Sequence, residues 1–129
     1  MVVATIGYAA GERGSGLAYA RLMGNGATRL IRRVFRTADP GDDRAVAYGA
    51  ITAVADAMAK RRIRGARFVI GNAAVAAELA TRGDVPDPLA LAYVRLRCAL
   101  NALGATVALG TTDELTQRAR AEIALNLAA

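Results

Sequence analysis

The stretch GLAYARLMGNGATRLIRRVFRT, residues 16–37, decides which fold the chain can adopt. Two segments of strand length flank the tripeptide Gly24-Asn25-Gly26: Gly16–Met23 is largely apolar, and Ala27–Thr37 mixes apolar residues with arginine. Asn and Gly tolerate the positive φ angles that tight hairpin turns require. The stretch therefore predicts two antiparallel strands joined by a short turn.

A further strand precedes this hairpin. Val2–Tyr8 is rich in β-branched residues and is bounded by Gly11 and Gly14, which favour a turn. On the other side, Pro40-Gly41 marks a loop after the hairpin. The first third of the chain therefore predicts three consecutive antiparallel strands.

The rest of the chain alternates between helices and strands. Asp42 or Asp43 can cap a helix that runs to about Arg62, because apolar residues recur at helical spacing at Ala47, Ile51, Val54 and Met58. The short apolar run Arg67–Ile70 predicts a fourth strand.

Three further helices and one strand follow. Asn72 can cap a helix over residues 73–81 that Gly83 ends, and Asp87-Pro88 can open another that Gly104 ends. The latter has an apolar stripe at Leu89, Tyr93, Leu96, Leu100 and Leu103. Ala105–Leu109 predicts a fifth strand, and Thr111 with Glu114 fits a capping box that opens the last helix.

The resulting order is β-β-β-α-β-α-α-β-α, with parallel crossovers in the second half only. No repeat or interdomain linker is visible, so residues 1–129 are expected to form a single α/β domain. The single cysteine, Cys98, lies in an apolar helical pattern and is expected to be buried and inert. A cytoplasmic domain with no membrane association is expected, because no basic leader precedes the apolar N-terminus and no apolar run reaches membrane length.

Several short motifs resemble those of type 1 ribonuclease H. Residues 11–16, Gly-Glu-Arg-Gly-Ser-Gly, resemble that family's Gly-Asn-Pro-Gly-Pro-Gly turn after its first strand. Residues 42–51 look like the family's Asn-Asn-Arg-x-Glu-x-x-Ala-Ala start of the first helix, and residues 70–73 resemble its strand that ends in Thr-Asp-Ser. The resemblance implies a ribonuclease H-like fold: a mixed five-stranded sheet of order 3-2-1-4-5 with helices on both faces.

The resemblance also implies a nuclease in which clustered carboxylates hold two Mg²⁺ ions, but this chain departs from the pattern. The family's four carboxylate positions fall at Ile6 or Gly7, at Val46 or Ala47, at Asn72, and at Arg120 or Ala121, and none of these side chains is acidic. Mg²⁺ prefers carboxylate and water oxygens. Loss of metal-dependent catalysis, with no bound metal and no cofactor, is therefore expected. The alternative is a metal site rebuilt from Asp42, Asp43 or Glu12.

Other catalytic chemistry finds little support in the composition. The chain contains no histidine, which removes the commonest general base and the commonest transition-metal ligand. The glycines of residues 11–16 join two predicted strands instead of opening a helix, so they do not form a dinucleotide-binding loop.

Positive charge is concentrated in the first half of the chain. The net charge is +6 overall, but +7 over residues 1–67 and −1 over the remainder. Sixteen of the seventeen basic residues are arginine, whose planar guanidinium suits phosphates and carboxylates alike, so the preference for arginine does not by itself indicate phosphate recognition. Strand alternation places the arginines of the third strand on both of its faces. The candidate nucleic-acid-binding residues are Arg29, Arg32, Arg33, Arg36, Lys60, Arg61, Arg62 and Arg64.

Three functional hypotheses follow. The first is a non-catalytic ribonuclease H-like domain that binds RNA–DNA hybrid or duplex through this basic surface without sequence preference. The second is a structural or assembly domain that forms a homo-oligomer or docks an acidic protein partner. The third is an active ribonuclease with a rebuilt metal site. A fold supports many functions, so the fold alone does not choose among them.

Overall fold

The computed structural model describes residues 1–80, 85 and 87–128. The predicted hairpin is present: β2 (Ser15–Gly24) and β3 (Ala27–Arg36) pair antiparallel through all ten residues of each strand. Asn25 and Gly26 between them have φ angles of 54° and 76°, which is the left-handed geometry that the Asn-Gly pair predicted.

β1 (Val3–Ala10) pairs antiparallel with β2 on one side and parallel with β4 (Arg67–Ile70) on the other. β5 (Thr106–Leu109) then pairs parallel with β4. The sheet order is β3-β2-β1-β4-β5, so the predicted mixed five-stranded sheet is confirmed. Parallel pairing in β1, β4 and β5 brings their carboxyl ends to one edge of the sheet.

Four α-helices complete the described part of the chain, and they pack on both faces of the sheet. α1 (Asp43–Lys60), α2 (Ala73–Ala80) and α3 (Ala90–Leu103) share one core with β1 to β4, whereas α4 (Asp113–Ala128) covers β1 and β2 on the opposite face. No described helix is both long enough and apolar enough to cross a membrane.

α1 lies directly on the sheet because its inner surface is built from small and branched side chains. The predicted stripe Ala47, Ile51, Val54 and Met58 is fully buried. Asp42 caps the helix, since its Oδ1 accepts a hydrogen bond from the Arg44 backbone N–H at 3.0 Å. The N–H groups of Arg62 and Ile63 close the other end by donating to the carbonyls of Ala59 and Met58.

The structure changes some of the predicted boundaries. Asp87–Leu89 forms a short 3₁₀ turn, and α3 begins only at Ala90. α4 begins at Asp113, and the Glu114 side chain forms an ion pair with Arg21 on β2 at 2.9 Å. The prediction that Gly83 ends α2 lies outside the described residues.

The prediction of a buried Cys98 is wrong, because its side chain is exposed. Leu96, Leu100 and Leu103 form the buried face of α3. Cys98 follows Leu96 by two residues, which is about 200° around a helix, so it lies on the outer side.

Candidate functional site

A small polar cavity of about 330 Å³ lies at the sheet edge where β1 and β4 end and where α1 and α4 begin. The parallel strands end at this edge, and the connections that leave it lead into helices. The strand ends therefore form the floor of the cavity, and the N-termini of the helices form its walls. Its lining residues are Tyr8, Asp43, Gly71, Gly110, Thr111, Thr112, Asp113, Thr116 and Arg120.

Three side chains on separate elements form a hydrogen-bonded group at this cavity. The Tyr8 hydroxyl donates to Oδ2 of Asp43 at 3.1 Å, and Nδ2 of Asn72 donates to the same oxygen. Oδ1 of Asn72 accepts from the Val75 backbone N–H at 3.0 Å, so Asn72 caps α2 as predicted. Asp43 therefore already accepts two hydrogen bonds within the protein.

Tyr8 cannot supply an anionic oxygen near neutral pH. Burial raises the pKa of its hydroxyl well above the usual value near 10, and the adjacent Asp43 carboxylate raises it further. The hydroxyl therefore stays protonated and acts as a hydrogen-bond donor to Asp43.

The first half of α4 and the residue just before it contribute hydroxyl groups and one positive charge to the other side of the cavity. Thr112 is buried, and its Oγ1 lies 3.2 Å from Oγ1 of Thr116. Arg120 is exposed at the cavity mouth, close enough for its charge to act on the Tyr8 hydroxyl.

The four positions identified from the sequence divide into two pairs. Arg120 lines the cavity, and Asn72 donates a hydrogen bond to Asp43, which also lines it. Ile6 and Val46 are buried in the core between β1 and α1. Two other residues reach the cavity instead. Tyr8 lies two residues beyond Ile6 on the same face of β1, and Asp43 lies one helical turn before Val46 in α1. The resemblance placed the expected carboxylate positions at Ile6 and Val46, and only the packing shows how far each element extends towards the cavity.

The other acids considered for a rebuilt site separate from one another. Asp43 lies at the cavity, Asp42 caps α1 and faces a different cleft, and Glu12 is exposed in the turn between β1 and β2. Among residues 1–80, 85 and 87–128, no group of three or more His, Cys, Asp or Glu side chains is arranged to hold a metal ion.

The candidate arginines of β3 lie on opposite faces of the sheet. Arg32 pairs in register with Tyr19, which packs against α4, so Arg32 and Arg36 lie on the α4 face. Arg32 forms an ion pair with Glu122 at 2.9 Å, and Arg36 donates to the Arg13 carbonyl at 3.3 Å.

Arg29 and Arg33 lie on the face that carries α1, because Ile31 between them is buried in the core beneath this helix. Arg29 lies near the start of β3, at the sheet edge where β1 also begins. Arg33 is half-buried and lies further along the strand.

The basic residues that follow α1 lie at the edge of the sheet where β1 begins, which is the edge opposite the polar cavity. α1 begins at the cavity with Asp43 and ends 18 residues later at Lys60, a span of about 27 Å at the usual helical rise. We call the exposed cations at this end the basic edge, namely Arg29, Lys60, Arg61, Arg62, Arg64 and Arg67.

Sequence comparison identifies no relative: no family model and no curated protein matches the chain. Comparison of structures does find similar proteins. Ribonuclease H1 of Halobacterium salinarum NRC-1 superimposes with a TM-score of 0.72 at 20% identity, covering 94% of this chain and 98% of that one. The N-terminal ribonuclease H domain of a Mycobacterium tuberculosis protein, solved as a fusion with maltose-binding protein, gives 0.74 at 16% identity, with 98% and 97% covered.

A third similar structure is LC11 ribonuclease H1, isolated from compost by a metagenomic approach, in complex with an RNA/DNA hybrid. It superimposes with a TM-score of 0.63 at 5% identity and covers 91% of this chain and 90% of that one. The near-complete coverage in each case agrees with the strand order and the placement of helices on both faces. The chain therefore has the ribonuclease H-like fold.

Proposed function

We propose that this domain binds RNA–DNA hybrid or duplex nucleic acid through the basic edge, without sequence preference and without cleaving it. The proposal rests on the exposure of these cations and on their lack of ion pairs with described residues. All six are exposed, and within the described part of the chain none of them forms an ion pair, whereas the three ion pairs found there use Arg21, Arg32 and Arg44. Arg61 and Arg64 each donate one hydrogen bond to a backbone carbonyl, that of Ala57 and that of Ala102. No carboxylate of a described residue neutralises the basic edge, so its charge can act on a polyanion.

The local backbone supports a role for this charge. Arg62 has a φ of 58°, at the helix-ending position where glycine is strongly preferred. A side chain there costs about 1 kcal/mol or more relative to glycine. Ile63 packs against the core and anchors the turn. Arginine stands at a position that disfavours a side chain, which fits a binding function for that side chain.

The solved complex of LC11 ribonuclease H1 with an RNA/DNA hybrid supports the choice of ligand, since it is one of the proteins with this architecture. Phosphate contacts by arginine carry no base information, so the expected binding is independent of sequence.

The non-catalytic part of the proposal rests on the side chains at the polar cavity. Two divalent ions about 4 Å apart need several anionic oxygens to offset their mutual repulsion. Asp43 and Asp113 are the two acids that line the cavity, and Asp43 is already engaged by Tyr8 and Asn72. Arg120 places a positive charge at the mouth. These residues do not fit a pair of Mg²⁺ ions.

Binding is tested by fluorescence anisotropy with a labelled RNA–DNA hybrid of mixed sequence. With five phosphates neutralised, log K falls by about 0.9 per phosphate for each decade of salt, so affinity is expected to drop by more than two orders of magnitude between about 50 and 200 mM salt. Arg61→Gln with Arg64→Gln should lower that slope by about 1.8.

The matched control is Arg13→Gln with Arg118→Gln, which removes the same charge from exposed arginines outside the basic edge. It should leave the slope almost unchanged. Equal losses in the two double variants would show that net charge alone drives binding, and no binding at the lower salt concentration would refute the proposal.

Cleavage is tested separately, with highly purified protein and the same hybrid in Mg²⁺ or Mn²⁺. We expect no turnover above that of a buffer blank, because the cavity lacks the anionic ligands. Metal-dependent cleavage that disappears in Asp43→Ala would overturn this part of the proposal and would establish a rebuilt metal site.

One observation favours assembly as a second candidate function. β3 is the outer strand of the sheet, and α4 leaves part of the β2–β3 face uncovered, where Met23, Leu30 and Val34 are exposed. Exposed apolar patches mark protein contacts when they are contiguous. Sedimentation at several concentrations separates the two functions: a stable dimer with no affinity for nucleic acid would favour assembly.

A further inference from the structure

The strand β3 forms one margin of the sheet, and no described strand lies beyond it. It pairs with β2 through all ten of its residues, so it is a long and regular strand that is paired on one side only. An edge of this kind presents a row of backbone N–H and C=O groups that can pair with a further strand.

The pairing with β2 decides which backbone groups of β3 point outward. In an antiparallel pair, opposite residues alternate between those that exchange both hydrogen bonds and those that exchange none. The Thr37 N–H donates to the Gly14 carbonyl at 2.9 Å just beyond the last strand pair, so the odd-numbered residues of β3 bond to β2. The N–H and C=O groups of the even-numbered residues therefore point away from β2, and these residues are Thr28, Leu30, Arg32, Val34 and Arg36.

The face of β3 that carries α1 gives this edge a positive charge. Arg29 and Arg33 lie on either side of Ile31, and neither forms an ion pair with a described residue. Both are odd-numbered, so they would stand in the non-hydrogen-bonded pairs of an added antiparallel strand, where opposite Cα atoms approach to about 4.5 Å. Acidic side chains opposite these two arginines would therefore be close enough to pair with them.

The other face of the same edge is apolar. Leu30 and Val34 are 40% and 64% exposed on the face that carries α4. Arg32 lies between them, but its charge is already matched by Glu122 at 2.9 Å. An added strand would cover the two exposed side chains best with apolar side chains of its own.

A second copy of this chain fits the edge poorly. An antiparallel pair of β3 strands centred on Ile31 would place Arg29 opposite Arg33 of the other copy, and a pair centred on Arg32 would place that residue opposite itself. These two registers overlap most among those in which the outward backbone groups meet. Like charges directly opposite each other destabilise a strand pair. The edge therefore favours an acidic partner.

We propose that the outer side of β3 binds an extended acidic segment of another protein, which adds a sixth strand antiparallel to β3. The segment carries acidic residues opposite Arg29 and Arg33 on one face and apolar residues beside Leu30 and Val34 on the other. Backbone hydrogen bonds supply the affinity in strand addition of this kind, and the side chains supply the specificity. Arg33 lies outside the basic edge, so this site is tested independently of the proposed nucleic-acid binding.

The test uses a hexapeptide with blocked ends, Val-Glu-Thr-Val-Val-Glu, which places its glutamates opposite Arg33 and Arg29 when it pairs antiparallel with β3. Two control peptides replace both glutamates by glutamine or by lysine. In a titration followed by ¹H–¹⁵N correlation NMR, the acidic peptide should bind about fivefold to tenfold more tightly than the glutamine peptide, as two exposed ion pairs would give. The lysine peptide should give no saturable shift.

Hydrogen exchange separates strand addition from a loose electrostatic encounter. At a free peptide concentration about ten times the dissociation constant, the outward amide protons of Leu30, Arg32 and Val34 should exchange about tenfold more slowly. The amide protons of Ile31 and Arg33 already bond to β2, so their exchange should change little. If the outward amides were not slowed, the proposal would be overturned.

Two variants connect the selectivity to the edge. Arg33→Gln should weaken the acidic peptide about threefold and leave the glutamine peptide unchanged, because it removes one charge pair. Arg120→Gln, which removes an exposed arginine at the polar cavity, should change neither affinity. Equal affinities for the acidic and glutamine peptides, or no response to Arg33→Gln, would contradict the proposal. Slowing of the outward amides by a ten-nucleotide DNA strand and not by the acidic peptide would assign the edge to nucleic acid instead.

Discussion

Replacing Gly7 by alanine is expected to destabilise the domain by about 3 kcal/mol or more, at the upper end of what overpacking costs. Gly7 lies on β1 and faces α4, where an added Cβ would lie 2.3 Å from the backbone nitrogen of Thr116 and 2.4 Å from the carbonyl carbon of Leu115. Both are backbone atoms of the helix, so no side-chain rotation can relieve the overlap. α4 would have to move away from the sheet, which would loosen the packing of Leu115 and Ala119.

Urea unfolding followed by circular dichroism measures this effect. Gly11→Ala is the matched control: Gly11 is also buried next to α4, but its added Cβ would meet Ile123 at an ordinary 3.5 Å. The control should change the unfolding free energy by less than about 1 kcal/mol, as substitutions without a clash do. If the two variants were equally stable, the close contact between β1 and α4 would not limit the stability of the domain.

Replacing Glu78 by alanine is expected to have an effect of similar size, about 3 kcal/mol, because it breaks a largely buried ion pair from one side. Glu78 lies on α2, and its side chain is only 11% exposed. One carboxylate oxygen accepts from Arg44 and the other accepts from the hydroxyl of Tyr48, a residue with no exposed surface. Without the carboxylate, a hydroxyl and a partly buried charge would both lack a partner.

The control for this prediction is Glu114→Ala, which removes a glutamate that is 78% exposed in its ion pair with Arg21. Exposed pairs contribute about 0–1 kcal/mol, so this variant should be nearly as stable as the wild type. Arg44→Met with Tyr48→Phe, added to Glu78→Ala, should recover part of the loss by removing the groups left without a partner. No recovery would show that the cost arises from the packing around α2 and not from the polar network.

The amino-acid sequence by itself determined the order of the elements and the antiparallel hairpin, whereas the strand order of the sheet was implied by the resemblance to ribonuclease H. The hairpin turn at Asn25-Gly26, the α1 cap at Asp42 and the α2 cap at Asn72 are local features, in which a side chain and the backbone beside it decide the conformation. The apolar stripe of α1 was equally readable, since a helix of 3.6 residues per turn repeats its buried face at fixed spacing. These signals need no knowledge of distant residues.

Element ends were less well determined, because they depend on neighbours from other parts of the chain. Glu114 was expected to help cap α4, but its carboxylate pairs with Arg21, far away in sequence. Cys98 was expected to be buried because its surroundings in the sequence are apolar. The orientation of α3 on α1 decides that Leu96 lies inside and Cys98 outside.

The candidate site required the tertiary structure. Periodicity tells which residues share a face, but it does not tell which element covers that face or how far along it a cavity lies. Packing buries Ile6 and Val46 and brings Tyr8 and Asp43 to the polar cavity. Packing also pairs Arg32 with Glu122, about ninety residues away in sequence, and leaves the basic edge exposed about 27 Å from the cavity. Charge is a property of composition, but the charge available to a ligand depends on which carboxylates the fold brings next to each arginine.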